Sequence, residues 1–546
     1  MYEELKKIVK GDVSVDENTL ANFSRDASLF QVRPAIVISP KDAEDIKNVV
    51  KFVIENRRAH PELSVTARSA GTDMTGGPLS SSIVLDFLKY FNVVKDVLDD
   101  GTAITEPGVF YRDFEKETLK KGYILPSYTA SREICALGGM INNNAGGEKS
   151  LIYGKTEKYV NELKMVLSDG KEYSFKKLNR EELSEKMKQI DFEGGIYRAL
   201  FGILESNYKA VKDAKPNVSK NSMGYNVWDI WDRETGEFDI TKLFVGAQGT
   251  LGIMTEATLE LVKTKPYFSM LVIYLKDLRG LPELVNKILE YRPSSLESFD
   301  DHTLRLSMRF LPGFVKLLGA KNLLSLFLRF IPDFFTILKM GMPKLVMMAE
   351  VEEISQEDVD LKIKELKEKV ETLGFITRVA GTKAESDKYW AIRRESFNLL
   401  RHKVLGKQTA PFIDDIIVRP EFFPKFLPEL YTILDKYNLL YTIAGHMGDG
   451  NIHIIPLMNL RDENERMKIH PAETEVYNLV LKYKGSISAE HNDGLIRGPY
   501  ISKMFGEEVF NIFKDIKKVF DPNNIFNPHK KTDSDWKYSE AHIVRP

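Results

Sequence analysis

Cysteine is nearly absent from this chain of 546 residues, which contains only Cys135. A single thiol excludes an internal disulfide and every site that needs several cysteines, such as an iron–sulfur cluster. An excess of charge of either sign is also missing, because 77 Lys and Arg residues stand against 79 Asp and Glu residues. A chain so balanced lacks the basic surface that nucleic acid requires, so we expect no nucleic-acid partner.

Long apolar segments are missing as well. No stretch approaches the roughly eighteen uncharged apolar residues that a membrane-spanning helix needs. Residues 1–9 are charged and amphipathic, without the apolar core of a signal peptide. These features predict a cytoplasmic protein. A chain of 546 residues with 43% hydrophobic content exceeds what one hydrophobic core supports, so more than one domain is expected.

Glycine, in contrast, is concentrated in a few loops. A helical pattern at residues 42–56 and a strand pattern at 63–67 lead into the glycine-rich loop 68–77. Backbone N–H groups in such a loop can surround a pyrophosphate, which predicts a nucleotide cofactor. The loop has neither the GxGxxG spacing nor a Walker lysine, so Rossmann and P-loop sites are excluded.

Two further segments continue this pattern. The dense Asn and Gly residues of 137–147 disfavour a helix interior and indicate a segment wrapped around a ligand. Residues 242–245 predict a strand that enters another glycine-rich turn at 246–254.

Two histidines, His446 and His453, flank a turn of the sequence Gly448-Asp449-Gly450. A strand–turn–strand corner brings both imidazoles to one point, because the glycines allow the chain to reverse. Glu490 offers a third ligand, and the neighbouring His491 a base that does not bind the metal. Two imidazoles and a carboxylate predict a divalent metal site with an open position for substrate, which suits a hydrolase as well as an oxidoreductase.

Six motifs occur in order at residues 68–77, 126–154, 249–256, 446–453, 488–491 and 521–528. They resemble the flavoproteins of the vanillyl-alcohol-oxidase/PCMH superfamily, and most of all the FAD-dependent D-2-hydroxyacid dehydrogenases acting on D-lactate, D-2-hydroxyglutarate or glycolate. The resemblance implies an α+β fold: a PCMH-type FAD-binding domain of two subdomains, an inserted α+β substrate cap, and a C-terminal segment that returns to the flavin.

The implied boundaries are 1–265 for the FAD-binding domain, 266–470 for the cap, 471–530 for the C-terminal segment and 531–546 for a tail. Within the cap, residues 267–275 and 344–351 read as strands and 281–291 and 356–373 as helices. FAD is expected to bind non-covalently, because loop 68–77 contains no histidine or cysteine. The residues implied to contact FAD are Arg68, Ser69, Ala70, Gly71, Thr72, Asp73, Gly76, Gly77, Pro126, Ser127, Gly138, Gly139, Asn142, Asn144, Gly147, Gly249, Gly252, Ile253 and Asn527.

The resemblance also implies an activity. In similar dehydrogenases the arginine of a W-x-x-R pattern, here Trp390 and Arg393, binds the carboxylate of a 2-hydroxy acid. A divalent metal, Zn or Mn, held by His446, His453 and Glu490 polarises the substrate hydroxyl, and His491 takes its proton. Hydride passes to FAD, and the electrons leave to a quinone or an electron-transfer protein.

Three departures from the family pattern stand in this sequence. A substrate-binding lysine of some relatives has no counterpart in residues 409–415, so recognition of a second, distal carboxylate is not implied. The glycine that usually follows the base is replaced by Asn492. The usual Asn-Pro-Gly-Lys ending carries His529 in place of glycine.

Residues 305–344 combine short apolar segments with seven basic residues and one aspartate. Basic, apolar segments of this kind are typical of peripheral membrane contact, here at the inner face of the cell membrane. Packing within the cap or a homodimer interface explains the same pattern equally well.

Three other functions fit part of the sequence. One is a metal-independent oxidase or alcohol dehydrogenase of the same superfamily. Another is a metal-dependent hydrolase without flavin, built on the two histidines and Glu490. The third is a noncatalytic flavin-binding subunit of an electron-transfer complex.

Overall fold

The structure is a computed structural model that describes residues 1–309, 331, 335–403 and 406–545. It confirms the predicted α+β class. The helices of its first half are Tyr2–Ile8, Glu17–Phe23, Ala43–Asn56, Tyr111–Leu119, Leu137–Asn143, Ser150–Tyr153, Arg180–Lys188, Phe192–Ser206, Tyr208–Asp213 and Thr241–Phe244. Those of the second half include Leu281–Leu289, Asp301–Arg309, Gln356–Thr372, Lys383–Lys403, Phe423–Lys436, Glu463–Arg466, Ile469–Lys482, Gly494–Arg497, Ile501–Phe520 and Trp536–Ala541.

A four-stranded sheet carries the first glycine-rich loop. Its strands lie in the order Asp12–Ser14, Ile36–Ser39, Ile83–Asp86 and Val65–Arg68, and the last three run parallel. The predicted helix, Ala43–Asn56, crosses between two of them and buries Ile46, Val49, Val50 and Val53. Asp42 caps this helix, because its side chain accepts a hydrogen bond from the backbone N–H of Asp45. The loop from residue 68 therefore starts at the end of a buried parallel strand.

A second sheet of six antiparallel strands follows. In spatial order the strands are Phe238–Asp239, Glu172–Leu178, Val160–Val166, Ile253–Glu260, Thr102–Thr105 and Val94–Val97. A short two-stranded sheet joins Val262–Lys263 to Tyr123–Ile124. The C-terminal helix Ile501–Phe520 packs against Phe192–Ser206, so the end of the chain returns to the first half.

The third sheet has eight strands and carries the histidine corner. Its path runs through Ile376–Ala380, Tyr267–Leu275, Leu345–Glu353, Ser295–Asp300, Leu440–His446, Asn451–Met458 and Gln408–Thr409, and Ile416–Ile417 pairs with Asn451–Met458 off this path. The cap strands and helices predicted from the sequence are confirmed, with ends that differ by a few residues.

Two local predictions are wrong. Residues Thr241–Phe244 form one helical turn instead of a strand, because Asp239 accepts hydrogen bonds from the N–H and hydroxyl of Thr241. The Asn- and Gly-rich stretch Leu137–Asn143 is helical despite its composition. Its small residues permit close packing, since a Cβ at Gly138 would lie 2.7 Å from the carbonyl oxygen of Pro107.

The C-terminal segment lies beside the first sheet. Val65 N–H donates to the carbonyl of Ile525 at 2.8 Å, and Asn527 N–H donates to that of Val65 at 3.0 Å. Farther on, Ile543 forms an isolated bridge with Phe30. Chain ends that are distant in sequence thus meet near the loop that starts at Arg68.

Most of the basic, apolar segment 305–344 lies outside the described residues, so the membrane and homodimer interpretations stay predictions. At its described end, the side chains of Phe335 and Leu338 are 63% and 70% exposed. Among the described helices, none combines the length and apolar character needed to span a membrane.

Candidate active site

The predicted histidine corner is a β-hairpin. Strands Leu440–His446 and Asn451–Met458 pair antiparallel, with Ala444 opposite His453. Gly450 has a left-handed φ of +81°, and a side chain there would overlap the carbonyl oxygen of Val418. The reversal places the two imidazole centroids 5.2 Å apart at an interplanar angle of 85°.

Both imidazoles face the carboxylate of Glu490. Its Oε1 lies 3.1 Å from Nε2 of His446 and 3.4 Å from Nε2 of His453. Ligands bound about 2.1 Å from one cation at angles of about 90–109° are themselves separated by about 3.0–3.4 Å. Each imidazole nitrogen therefore lies at a ligand-like distance from the same oxygen of Glu490.

A second carboxylate lies behind each imidazole. Nδ1 of His446 lies 2.5 Å from Oε1 of Glu297, and Nδ1 of His453 lies 3.1 Å from Oδ1 of Asp414. Such partners hold the Nδ1 proton and leave Nε2 free for a metal. Glu297 and Asp414 were missed by the sequence analysis. Glu297 belongs to a strand, Ser295–Asp300, that is buried on both faces, so no alternation sets it apart.

The electrostatics of this cluster favour positive charge between the rings. Burial alone would lower the pKa of His453, but Asp414 and Glu490 raise it to about 10. Burial raises the pKa of Glu297, yet the neighbouring Arg393 and His446 bring it down to about 2. The cluster therefore stabilises a proton or a metal cation facing Glu490.

Lys220 is a further buried partner of Glu490. Its Nζ lies 3.2 Å from Oε2 of Glu490 and 3.0 Å from Oδ2 of Asp449, and its side chain is 2% exposed. Burial raises the pKa of Glu490, but Lys220 and His446 lower it well below its usual range. Lys220 engages one carboxylate oxygen and leaves the other facing the imidazoles.

Asp415 lies close enough to offer a different ligand set with His453, Glu490 and His491. Its Oδ2, however, already accepts hydrogen bonds from Ser488 Oγ at 2.6 Å and from the N–H groups of Glu490 and His491 at 2.9 and 2.7 Å. An oxygen with three donors has little capacity left for a cation. Oδ2 of Asp415 therefore holds this loop in place, and its other oxygen, Oδ1, accepts a hydrogen bond from Nδ2 of Asn451 at 3.1 Å.

His491, the predicted base, shares Asp414 with His453. Its Nδ1 lies 2.8 Å from Oδ2 of Asp414, and its ring stacks on His453 with centroids 5.1 Å apart. Burial lowers the pKa of His491, but Asp415 and Asp414 raise it above its usual value. The carboxylates thus favour the imidazolium that forms when this ring takes up a proton.

Arg393, the predicted carboxylate ligand, lies on the helix Lys383–Lys403. Its Nε donates to Oε2 of Glu297 at 2.6 Å. Its Nη2 is buried and has no hydrogen-bond partner among the described residues. A buried guanidinium with one free donor can bind a carboxylate at this point.

A cavity of about 870 Å³ connects this cluster with the glycine-rich loops. Arg393, His446, His453, Glu490 and His491 line one end. The predicted cofactor residues that line the cavity are Arg68, Ser69, Ala70, Gly71, Thr72, Asp73, Gly77, Gly138, Gly139, Asn142, Gly147, Gly249 and Gly252.

The other predicted cofactor residues lie outside the described lining: Gly76, Pro126, Ser127, Asn144, Ile253 and Asn527. Asn527 joins two loops behind the wall, because its Nδ2 donates to the carbonyls of Gly77 and Gln248 at 2.9 and 2.7 Å. Asn144, with a left-handed φ of +50°, ends the helix Leu137–Asn143. Asn527 and Asn144 therefore support the conformation of the lining loops without lining the cavity themselves.

The glycine-lined end has the form of a cofactor cradle. A Cβ at Gly139 or Gly249 would meet no atom nearer than 4.0 Å, so each would point into open space in the cavity. FAD, which the sequence predicts here, fits a wall whose backbone can be approached this closely.

Arg68, which lines this end of the cavity, also fixes a neighbouring segment. Its Nη1 and Nη2 donate to the carbonyls of Phe23 and Arg25 at 3.1 and 2.7 Å, so its guanidinium holds the lead-in segment. That segment contributes Arg25 and Asp26 to the lining, and the sequence analysis missed both. No glycine-rich motif marks residues 25–26, and the segment is also held at the cavity by the N–H of Gly76, which donates to Oδ2 of Asp26 at 3.0 Å.

Two protein families match separate parts of this chain. A family described as "FAD binding domain" matches residues 34–176, and one described as "FAD linked oxidases, C-terminal domain" matches residues 268–531. The chain is 26% identical over 529 residues to D-2-hydroxyglutarate dehydrogenase of Escherichia coli, covering 95% of this chain and 50% of that protein. It thus spans about half the length of the first such relatives.

Other relatives match over nearly their whole length. The glycolate oxidase subunit GlcD of Bacillus subtilis is 26% identical over 536 residues, covering 96% of this chain and 94% of that protein. The crystal structure of p-cresol methylhydroxylase superposes with a TM-score of 0.69 at 16% identity, covering 97% of this chain and 96% of that one. The structural likeness concerns the fold.

Proposed function

We propose that this chain, which belongs to the flavoproteins that join an FAD binding domain to the C-terminal domain of FAD linked oxidases, oxidises a D-2-hydroxy acid to the 2-oxo acid. One observation carries the proposal. His446 and His453, whose Nε2 atoms lie 3.1 and 3.4 Å from Oε1 of Glu490, line one end of a glycine-lined cavity together with His491 and Arg393. The names of relatives, D-2-hydroxyglutarate and D-lactate dehydrogenase, support the substrate class.

His446, His453 and Glu490 hold a divalent cation, Zn or Mn. When bound, this cation lowers the pKa of the substrate hydroxyl as a Lewis acid. Arg393 orients the substrate through its carboxylate, since Glu297 fixes Nε and leaves Nη2 for the ligand. The α-carbon then faces the glycine-lined end, with its hydroxyl toward the histidines.

His491 removes the hydroxyl proton. Asp414 lies beside its Nδ1 and stabilises the imidazolium that forms, which leaves Nε2 to receive the proton. FAD, bound non-covalently along the glycine-lined wall, supplies the acceptor for the hydride of the α-carbon. One hydride and one proton leave the hydroxy acid, which balances its conversion to the 2-oxo acid.

The decisive test is anaerobic mixing of the FAD-loaded protein with a panel of D- and L-2-hydroxy acids. We expect the flavin absorbance to bleach with D-acids only. Protein stripped of metal by a chelator should not bleach until Zn or Mn is returned. Full bleaching without metal would favour the metal-independent oxidase, and no bleaching with any acid would favour a noncatalytic flavin subunit.

The acceptor that reoxidises the flavin is proposed to be a quinone or an electron-transfer protein. A cytoplasmic protein bound at the inner face of the membrane through residues 305–344 suits a quinone, and exposed Phe335 and Leu338 support that contact. A liposome flotation assay tests it, with protein lacking the segment as control. A dimer seen by sedimentation, without flotation, would assign the segment to a homodimer.

A further inference from the structure

The residue after the proposed base has an unusual backbone. Asn492 adopts a left-handed φ of +70°, a conformation that glycine adopts freely and asparagine tolerates better than most residues. Its side chain is fully buried. The turn after His491 thus carries a buried amide at a position whose backbone glycine could also adopt.

The donor side of this amide reaches two loops on the cofactor side. Nδ2 of Asn492 donates to the carbonyl of Gly246 at 2.8 Å and to that of Asn143 at 3.2 Å. Asn143 lines the glycine-rich end of the cavity, and Gly246 leads into the lining residues Gln248 and Gly249. The two segments come from separate parts of the sequence and also bond directly to each other, since the N–H groups of Gly246 and Gln248 donate to the carbonyls of Ile141 and Asn142 at 2.9 Å. Asn492 joins this pair of segments to the loop that carries His491.

The acceptor side of the amide is equally occupied. Oδ1 accepts from Nζ of Lys531 at 2.7 Å and from the N–H of Asp493 at 2.7 Å. Lys531 is itself buried and also donates to Oδ2 of Asp493 at 2.6 Å and to the carbonyl of Gly224 at 2.7 Å. Every hydrogen-bonding position of the amide is used, so the side chain has one possible orientation.

A neighbouring contact also joins the loop that carries His491 to a loop that lines the cavity. The N–H of Gly494 donates to Oε1 of Gln248 at 2.9 Å, again between the base loop and a cavity loop. Asn492 nevertheless holds the central position, because it is bonded to His491 in sequence and contacts both cofactor loops.

We propose that Asn492 is a positioning residue that fixes His491 relative to the loops lining the cofactor end of the cavity. The inference rests on the proposed function, because it assigns His491 a proton to remove. A displacement of about 1 Å between reacting groups can lower a rate by about 100-fold. Loss of the amide should therefore slow flavin reduction more than it weakens substrate binding.

Two variants separate the parts of this amide. Asn492→Gly keeps the left-handed backbone and removes all four hydrogen bonds. Asn492→Asp keeps an acceptor for Lys531 and removes the donor toward Gly246 and Asn143. Asn438→Gly is the matched control, since Asn438 also has a left-handed φ, of +49°, but is exposed and lies outside the described cavity lining.

The first measurement is anaerobic stopped-flow reduction of the FAD-loaded proteins by the best 2-hydroxy acid. For Asn492→Gly and Asn492→Asp we expect a limiting rate about 10–100-fold lower and an apparent substrate Kd within about threefold of the parent. Asn438→Gly should match the parent in both. An unchanged limiting rate in both Asn492 variants would overturn the proposal, as would a loss confined to Kd.

The second measurement needs neither flavin nor substrate. Hydrogen–deuterium exchange of the FAD-free proteins should be faster in Asn492→Gly over residues 140–148, 244–250 and 488–496 together, and unchanged there in Asn438→Gly. Faster exchange confined to 488–496 would contradict a link between the loops. If no acid reduces the parent, the proposed function fails while this measurement still decides the link. If Asn492→Gly does not fold, Asn492→Asp decides both.

Discussion

Nε of Arg393 donates a hydrogen bond of 2.6 Å to the buried carboxylate of Glu297. The other oxygen of this carboxylate lies 2.5 Å from Nδ1 of His446. One side chain thus joins a proposed metal ligand to the proposed substrate clamp. A disturbance of Glu297 should affect both metal binding and substrate binding, which gives the first of four predictions.

Replacing Glu297 with Gln removes the charge that holds His446 and Arg393. Loss of such a carboxylate partner typically weakens metal binding by about 10–100-fold. We expect a loss of this size for Zn or Mn, measured by competition with a chromogenic chelator. Glu350→Gln is the control, because Glu350 is a buried carboxylate on the adjacent strand whose Oε2 accepts a hydrogen bond from Nε1 of Trp390 at 3.3 Å rather than from a histidine. Equal affinity in the Glu297 variant and the parent would contradict this role.

Replacing Lys220 with Met should destabilise the metal-free protein. The change leaves two buried carboxylates, Glu490 and Asp449, without their shared cation. Breaking a buried ion pair in this way costs about 3–5 kcal/mol in free energy of unfolding. Urea titration measures it, with Lys215→Met as the control.

The control has a clear expectation of its own. The Lys215–Asp229 pair is exposed, with side chains 55% and 36% accessible, so its loss should cost less than about 1 kcal/mol. If the Lys220 and Lys215 variants lost similar amounts of free energy of unfolding, the charge on Lys220 would not be needed to balance the carboxylates of Glu490 and Asp449.

Replacing Arg393 with Lys keeps the positive charge and removes the free Nη2 donor. A charge-assisted hydrogen bond contributes about 1.5–3 kcal/mol, so the apparent substrate Kd should rise by about 10–150-fold. Substrate titration of the reductive step measures this Kd. Arg419→Lys, at a half-buried arginine outside the described cavity lining, should leave it unchanged. An unaltered Kd in the Arg393 variant would remove Arg393 from substrate binding.

Asp26 should make the stability of the FAD-free protein pH-dependent. Burial and the neighbouring Asp73 raise the pKa of Asp26 to about 7, against about 3.9 in an unfolded chain. Between these values the native state keeps a proton that the unfolded state has released. The contribution of Asp26 to the free energy of unfolding therefore falls as pH rises from about 4 to about 7.

Asp26→Asn removes this dependence. Relative to the parent, the variant should gain stability between about pH 4 and pH 7, by about 1.4 kcal/mol for each pKa unit between the two states. Urea unfolding across this range measures the difference. Asp213→Asn, at an exposed carboxylate, should show no comparable trend. A difference that stays constant with pH would mean that Asp26 is ionised in the native protein.

Some of these features could be predicted because they are local. The hairpin that brings His446 and His453 together needs only the turn at Gly448–Gly450, which lies between them. The helix Ala43–Asn56 follows from its apolar spacing and its cap at Asp42. Both depend on interactions between residues within a few positions of one another, so the local amino-acid pattern is enough to predict them.

Predictions from local sequence were wrong where contacts with other parts of the chain outweighed the intrinsic helix or strand propensity. Leu137–Asn143 forms a helix despite its glycines and asparagines. It packs so closely against Pro107 that a side chain at Gly138 would not fit. Thr241–Phe244 turns into a helix because Asp239 accepts its first N–H. Each outcome depended on a contact that propensity does not include.

The sequence by itself determined the histidine hairpin, the glycine-rich loops and the likeness to FAD-binding oxidoreductases, because these are short patterns in a recognisable order. Only the tertiary structure decided what surrounds them. Glu297 lies 149 residues from His446, Lys220 lies 270 residues from Glu490, and Asn492 lies 246 residues from Gly246. No periodicity connects positions so far apart. Their contacts arise when the sheets and chain ends close around one buried site, where each polar group must find a partner.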